Sequence, residues 1–156
     1  MMTKLDEFDK ALLDQLQTDA TLSLAELSER INLSRNAIWR RLTRLESEGF
    51  IREKVARLDR DKLNLGLTVF ISVRTEAHSS QWFDSFHKAV SEIPEITGMY
   101  RMTGDVDYVL HAFVPDMRSY DRLYKQLISK VALSDVSSSF VMEEIKDTTK
   151  VPLTYI

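Results

Sequence analysis

The sequence predicts an α+β protein in two parts: a helical N-terminal unit ending in an arginine-rich helix, and a C-terminal unit alternating β-α-β-β-α-β. Three observations predict it. Apolar residues recur at helical spacing up to Gly49, strand-like and helix-like stretches alternate from Leu67 onward, and basic charge concentrates between residues 34 and 60. That segment holds eight basic and four acidic residues, net +4, whereas residues 61–156 hold ten basic and thirteen acidic, net −3. The whole-chain charge of −3 therefore conceals a local positive field.

The first element is an amphipathic helix over residues 6–18, because Leu5, Phe8, Leu12, Leu13 and Leu16 share one face. Ser23 followed by Glu26 is a capping box, so a second helix starts there and runs to about Ile31. Asn32-Leu33-Ser34 breaks the pattern, and Ser34 caps a third helix ending at Gly49. Two short helices joined by a tight turn form a helix-turn-helix, whose second helix enters the DNA major groove. On that helix Ile38, Leu42 and Leu45 make the buried stripe. The opposite face carries Asn36, Arg40 and Thr43, with Trp39 and Arg44 on its flanks. Asn and Arg present the forked donors and acceptors that match base edges, and Lys and Arg anchor phosphates. Trp39 admits two roles, stacking at the DNA surface or packing against the first helix. Arg41 lies beside the stripe and is read as structural, paired with Glu26 or Glu29. After Gly49, FIREKVARL reads as a strand forming a wing or link, with Arg52, Lys54 and Arg57 as phosphate contacts. The polar stretch 59–66 marks a linker, so the domains are expected at 1–58 and 67–156.

In the second part, LTVFISVR is a strand. SSQWFDSFHKAVSEI is a helix burying Phe83, Phe86, Val90 and Ile93, stopped by Pro94. EITGMYRMT and DYVLHAFV are strands joined through Gly104-Asp105-Val106. Pro115-Asp116 opens a helix bearing Tyr120, Leu123, Tyr124, Leu127 and Ile128, and SSSFVMEEI is the last strand. This order is the ferredoxin-like unit, an antiparallel sheet with both helices on one face. Large apolar groups occupy both strand alternations, which predicts that the second face is buried against another copy of the chain.

The composition excludes several classes. No cysteine means no disulfide framework and no thiolate metal site. No apolar run reaches the length of a membrane span, and the N-terminus lacks a signal-peptide core, so a cytoplasmic protein with no membrane partner is expected. His78, His87 and His111 show no metal-ligand spacing, and no catalytic triad or phosphate loop is visible, so no metal, no cofactor and no enzymatic activity are expected.

Taken together, these motifs resemble the Lrp/AsnC (feast/famine) transcription regulators over essentially the whole chain. The specific elements are the turn Gly104–Tyr108, the run Val114–Met117 and the run Met142–Lys146. The resemblance implies double-stranded DNA as partner, dimers built through the C-terminal sheets and often joined as octamers, and an amino-acid effector bound between dimers. Residues 67–156 would then bind effector and drive assembly. The DNA contacts expected are Ser34, Arg35, Asn36, Trp39, Arg40, Thr43, Arg44, Arg52 and Lys54. Arg35 stands where the family often has proline, so the DNA sequence preference is not carried over.

An amino acid needs an anion pocket and an ammonium acceptor. The turn at Gly104 offers exposed backbone N–H groups and the carboxylates of Asp105 and Asp107. The family's effector region maps onto that turn with Tyr100, Met102 and Tyr108, plus Ser138 from a neighbouring subunit. The segments His78–Trp82 and Thr148–Pro152 resemble a subgroup with cysteine-responsive members. Two other readings compete. One is an effector-independent nucleoid-organising protein that bends DNA, and the other a haem-pathway decarboxylase of similar architecture.

Overall fold

The structure, a computed structural model, describes residues 4–77 and 79–156; His78 of the subgroup motif lies outside them. The elements run α1 Glu7–Thr18, α2 Leu24–Ile31, α3 Arg35–Ser47, β1 Leu67–Arg74, α4 Ser80–Ser91, β2 Ile96–Arg101, β3 Tyr108–Val114, α5 Met117–Lys130 and β4 Asp135–Phe140. The chain divides into two compact units. The N-terminal unit comprises Met1–Arg57 with Lys146–Ile156, and the C-terminal unit Leu58–Ile145. No helix among the described residues is long and apolar enough to cross a membrane.

Local chemistry starts and stops the N-terminal helices as expected. Asp6 and Asp9 form a reciprocal capping box at α1, and Ser23 and Glu26 form another at α2. The Ser23 hydroxyl holds the Glu26 carboxyl below the usual carboxylate range. Asn32 ends α2 in the left-handed conformation at φ 57°, which its short amide tolerates. Ser34 then accepts the Ala37 N–H at 3.2 Å and starts α3. At the far end of α3, Gly49 takes φ 78°. Its N–H donates to Glu46 O, and the Phe50 N–H donates to Leu45 O, which makes a Schellman stop. Leu12, Leu13, Leu27, Ile31, Ile38 and Leu45 close the core. Phe8, expected inside, is substantially exposed and lies under the Arg41 guanidinium at 5.4 Å.

The C-terminal unit is one sheet, ordered β2-β3-β1-β4 with every neighbouring pair antiparallel. Val69, Ile71 and Val73 of β1 and Tyr108, Leu110, Ala112 and Val114 of β3 point to the helix side. There they bury against Phe86, Ala89, Val90 and Ile93 of α4 and Leu123 and Leu127 of α5. A bulge between Ile96 and Gly98 inserts Thr97 into β2.

Four sequence expectations change. The FIREKVARL segment forms no strand, because no described neighbour offers it a ladder and its backbone stays open to solvent. β4 ends at Phe140, leaving Met142 and Ile145 outside the sheet and exposed. Phe83 and Ile128 sit at the margins of their helix stripes and are exposed. Residues 146–156, expected with the second domain, belong to the N-terminal unit. The reason is specific contact. Gln17 exchanges hydrogen bonds with the Val151 backbone, Lys150 Nζ lies 3.2 Å from Asp14, and Leu153 packs on the helical core.

Candidate DNA interface and candidate ligand site

The α3 surface is built from the charges around Asp9. That carboxylate is fully buried in the apolar stripe of α1, between Leu5, Leu12 and Leu13. One oxygen takes Arg41 Nη1 at 2.6 Å; the other takes Arg44 Nη2 at 2.5 Å and the Asp6 N–H at 3.1 Å. Burial alone raises its pKa, yet the donors from Arg41, Asp6 and Arg44 together hold it below the ordinary aspartate range. Arg41 also bridges to Asp6 at 2.8 Å. Arg41 is thus structural as expected, but its partners are Asp6 and Asp9 rather than Glu26 or Glu29.

Arg44, expected at DNA, has its guanidinium paired with Asp9. An unpaired buried carboxylate costs far more than a surface arginine gains, so Asp9 wins the contest for it. The Arg44 Nε is itself buried without a partner.

The other expected contacts divide plainly. Arg35, Asn36 and Arg40 on α3, and Arg52 beyond it, are exposed and make no side-chain hydrogen bond or ion pair with another described residue. Trp39 is 57% exposed. The Thr43 hydroxyl donates to Trp39 O at 2.9 Å, and Ser34 serves the cap. Lys54 is paired with Glu46 at 2.7 Å, and Arg57 with Asp147. The exposed face of α3 therefore offers two unpaired guanidiniums, an amide and an indole.

In the C-terminal unit the expected effector residues separate onto different surfaces. Tyr100 lies on the open face of the sheet, 56% exposed, and Met102 is exposed beyond it. Tyr108 points the other way, buried against Phe86 at 5.1 Å and Trp82 at 5.9 Å. Ser138 also faces the helices, hydrogen-bonded to the Tyr120 hydroxyl. The cause is strand alternation: Tyr100 and Tyr108 belong to opposite faces of the β2–β3 hairpin. Between them, Gly104 makes the turn at φ 113°. Asp107 is half-buried and accepts the Thr75 N–H at 2.8 Å, tying the turn to the end of β1. Asp105 is exposed, and only its backbone carbonyl is engaged, by Arg74 Nε at 2.7 Å.

Sequence reasoning missed two features. Asp9 was visible as a lone carboxylate inside an apolar helical stripe. The other is a cavity of about 560 Å³ on the helix side of the sheet. Trp82, Phe83 and His87 of α4 and Met99, Arg101 and Tyr108 of the hairpin line it, with Ser79 and Ser80 at the start of α4.

A helix-turn-helix with free guanidiniums on its second helix, in one chain with a ferredoxin-like domain, defines the class: DNA-binding transcriptional regulators with a separate ligand-binding domain. Comparison with known proteins agrees. Residues 68–151 match the Lrp/AsnC ligand binding domain, and residues 5–52 match a winged helix-turn-helix DNA-binding domain. The chain therefore belongs to the Lrp/AsnC family of transcriptional regulators. It is 49% identical over 150 residues to the DNA-binding transcriptional activator DecR of Escherichia coli (strain K12), covering 96% of this chain and 99% of that one. Among solved structures it is similar to an AsnC family transcriptional regulator from Agrobacterium tumefaciens, with TM-score 0.94, 47% identity and coverage of 97% and 99%. It is also similar to a transcriptional regulator from Neisseria meningitidis in complex with L-Met, with TM-score 0.93, 37% identity and coverage of 97% and 99%.

Proposed function

We propose that this regulator reads DNA through Asn36, Trp39 and Arg40, with Arg35 and Arg52 on phosphates, and that an amino acid gates its binding. The observation that carries the reading is the pairing pattern of the arginines. Arg41 and Arg44 are consumed by Asp9, while Arg35, Arg40 and Arg52 stay unpaired although Glu46 and Glu48 share their region. Unpaired guanidiniums gathered beside an exposed amide suit phosphate and base contact.

The amino-acid reading rests on the family's ligand-binding domain and on the L-Met complex of the Neisseria meningitidis relative. Within the turn we assign the ligand to the Gly104 backbone and the exposed Asp105 carboxylate, with Asp107 shaping the turn through Thr75. The chain acts in the cytoplasm as a regulator without a reaction of its own. Copies pair through the open sheet face, where Phe70, 41% exposed, stacks on His111 at 4.8 Å. Several dimers then join, and the effector acts by preferring one assembly over another, since equal affinity shifts nothing.

The test is anisotropy of a labelled DNA fragment from upstream of the protein's own gene, against a scrambled fragment of equal length, with and without pooled amino acids. Preference for the native fragment that changes with the pool is the expected result. Equal binding to both fragments, indifferent to the pool, refutes the reading. Asp105→Asn should keep the DNA preference and lose the amino-acid dependence, whereas a retained dependence returns the ligand role to other residues.

A further inference from the structure

We infer that the cavity under α4 is a second ligand site, built for a small carboxylate with a flat apolar body and no ammonium group. Its size, about 560 Å³, lies within the range of small-molecule sites. Its walls are aromatic. Trp82 and Phe83 from α4 meet Tyr108 at ring-centroid distances of 5.9 and 6.2 Å, and Met99 lines the space beside them. Two details separate this cavity from an ordinary packing defect. Phe83, at the margin of the α4 stripe, is exposed and lines the open space. Arg101 contributes a guanidinium to the lining and makes no hydrogen bond or ion pair with another described residue. A guanidinium offers a carboxylate two parallel donors. His87, stacked with Phe83 at 6.1 Å, adds a polar ring edge to the same wall.

The charge of the lining sets the ligand class. Among the described residues no aspartate or glutamate lines the cavity, so an α-amino acid would bring its ammonium into an aromatic space without a counter-charge. A plain carboxylate meets Arg101 and leaves no charge unpaired. Arylacetic acids fit this description, and the inference stands apart from the amino-acid reading of the Gly104 turn.

Trp82 supplies the readout, since the chain has two tryptophans and the other, Trp39, lies in the N-terminal unit. In the full chain carrying Trp39→Phe, titration with phenylacetate should give a saturable change in Trp82 emission. Phenylacetamide and L-phenylalanine should each bind at least tenfold more weakly. Arg101→Gln should weaken phenylacetate about tenfold while leaving phenylacetamide unchanged, with circular dichroism and melting as for the parent. Calorimetric titration of the unmodified protein gives the same comparison without relying on emission. Absence of saturable phenylacetate binding by both methods overturns the proposal. Equal affinity for acid and amide, or tighter binding of L-phenylalanine, overturns the assigned class.

Discussion

At the residue scale, Arg44 and Arg40 show how identical charges acquire different tasks, because Asp9 claims only the first. A carboxylate with no exposure must be satisfied, and Asp9 takes three donors to achieve it. Asp9→Ala should destabilise the N-terminal unit by about 1–3 kcal/mol, because it leaves Arg44 without its partner and Arg41 with Asp6 alone; urea unfolding followed by circular dichroism measures it. The linked pH dependence has a defined sign. The folded Asp9 pKa is depressed, so its stabilisation is complete above the ordinary aspartate value near about 3.9 and is lost as pH falls through the lower folded value. Asp9→Asn should therefore melt at a lower temperature at neutral pH and lose this part of the acid sensitivity. Arg40 has no such partner. Arg40→Ala should cost about 1–3 kcal/mol of DNA affinity and relax preference at one base position, while Arg35→Ala should weaken all sequences alike and reduce the salt slope by about 1. Arg44→Ala should lower stability and leave that slope unchanged, since its guanidinium is already paired.

At the scale of elements, short-range chemistry decided the boundaries. Asp6, Ser23, Ser34, Ser79 and Asp116 each accept a backbone N–H three residues on, and each starts a helix where it stands. These starts were legible in the sequence because donor and acceptor lie within one turn of chain. The stop at Gly49 was legible for the same reason. A methyl group added there meets no atom within 4 Å, so Gly49→Ala tests conformation alone. It should cost about 1 kcal/mol of helix stability in thermal unfolding, the price of an L-residue at positive φ. Strand ends were less legible. FIREKVARL carries the residue types of a strand, but a strand exists only where another backbone pairs with it, and composition does not name the partner. The same limit let MEEI be read into β4, although it lies beyond the last ladder pair, Val69 with Phe140.

For the whole molecule, the division into units rests on which surfaces the tail and the sheet choose. Removing residues 148–156 should lower the melting temperature of the N-terminal unit, because Leu153, Lys150 and Val151 leave it, and should spare the C-terminal unit. Differential scanning calorimetry reads the two parts. On the sheet, Phe70→Asp places a charge among Phe70, His111 and Phe113 and should reduce the mass found by light scattering, if copies pair through that face. An unchanged mass would move the pairing surface elsewhere. The sequence by itself determined the helix and strand order, the caps, the β-α-β-β-α-β topology and the basic face of α3, since periodicity and local hydrogen bonding act within a few residues. Only the tertiary structure decided that Arg44 serves Asp9, 35 positions away, that Tyr100 and Tyr108 face opposite ways, and that the tail docks on α1. Periodicity assigns a side chain to a face, but its partner follows from which buried charge or unfilled surface the folded chain brings to that face.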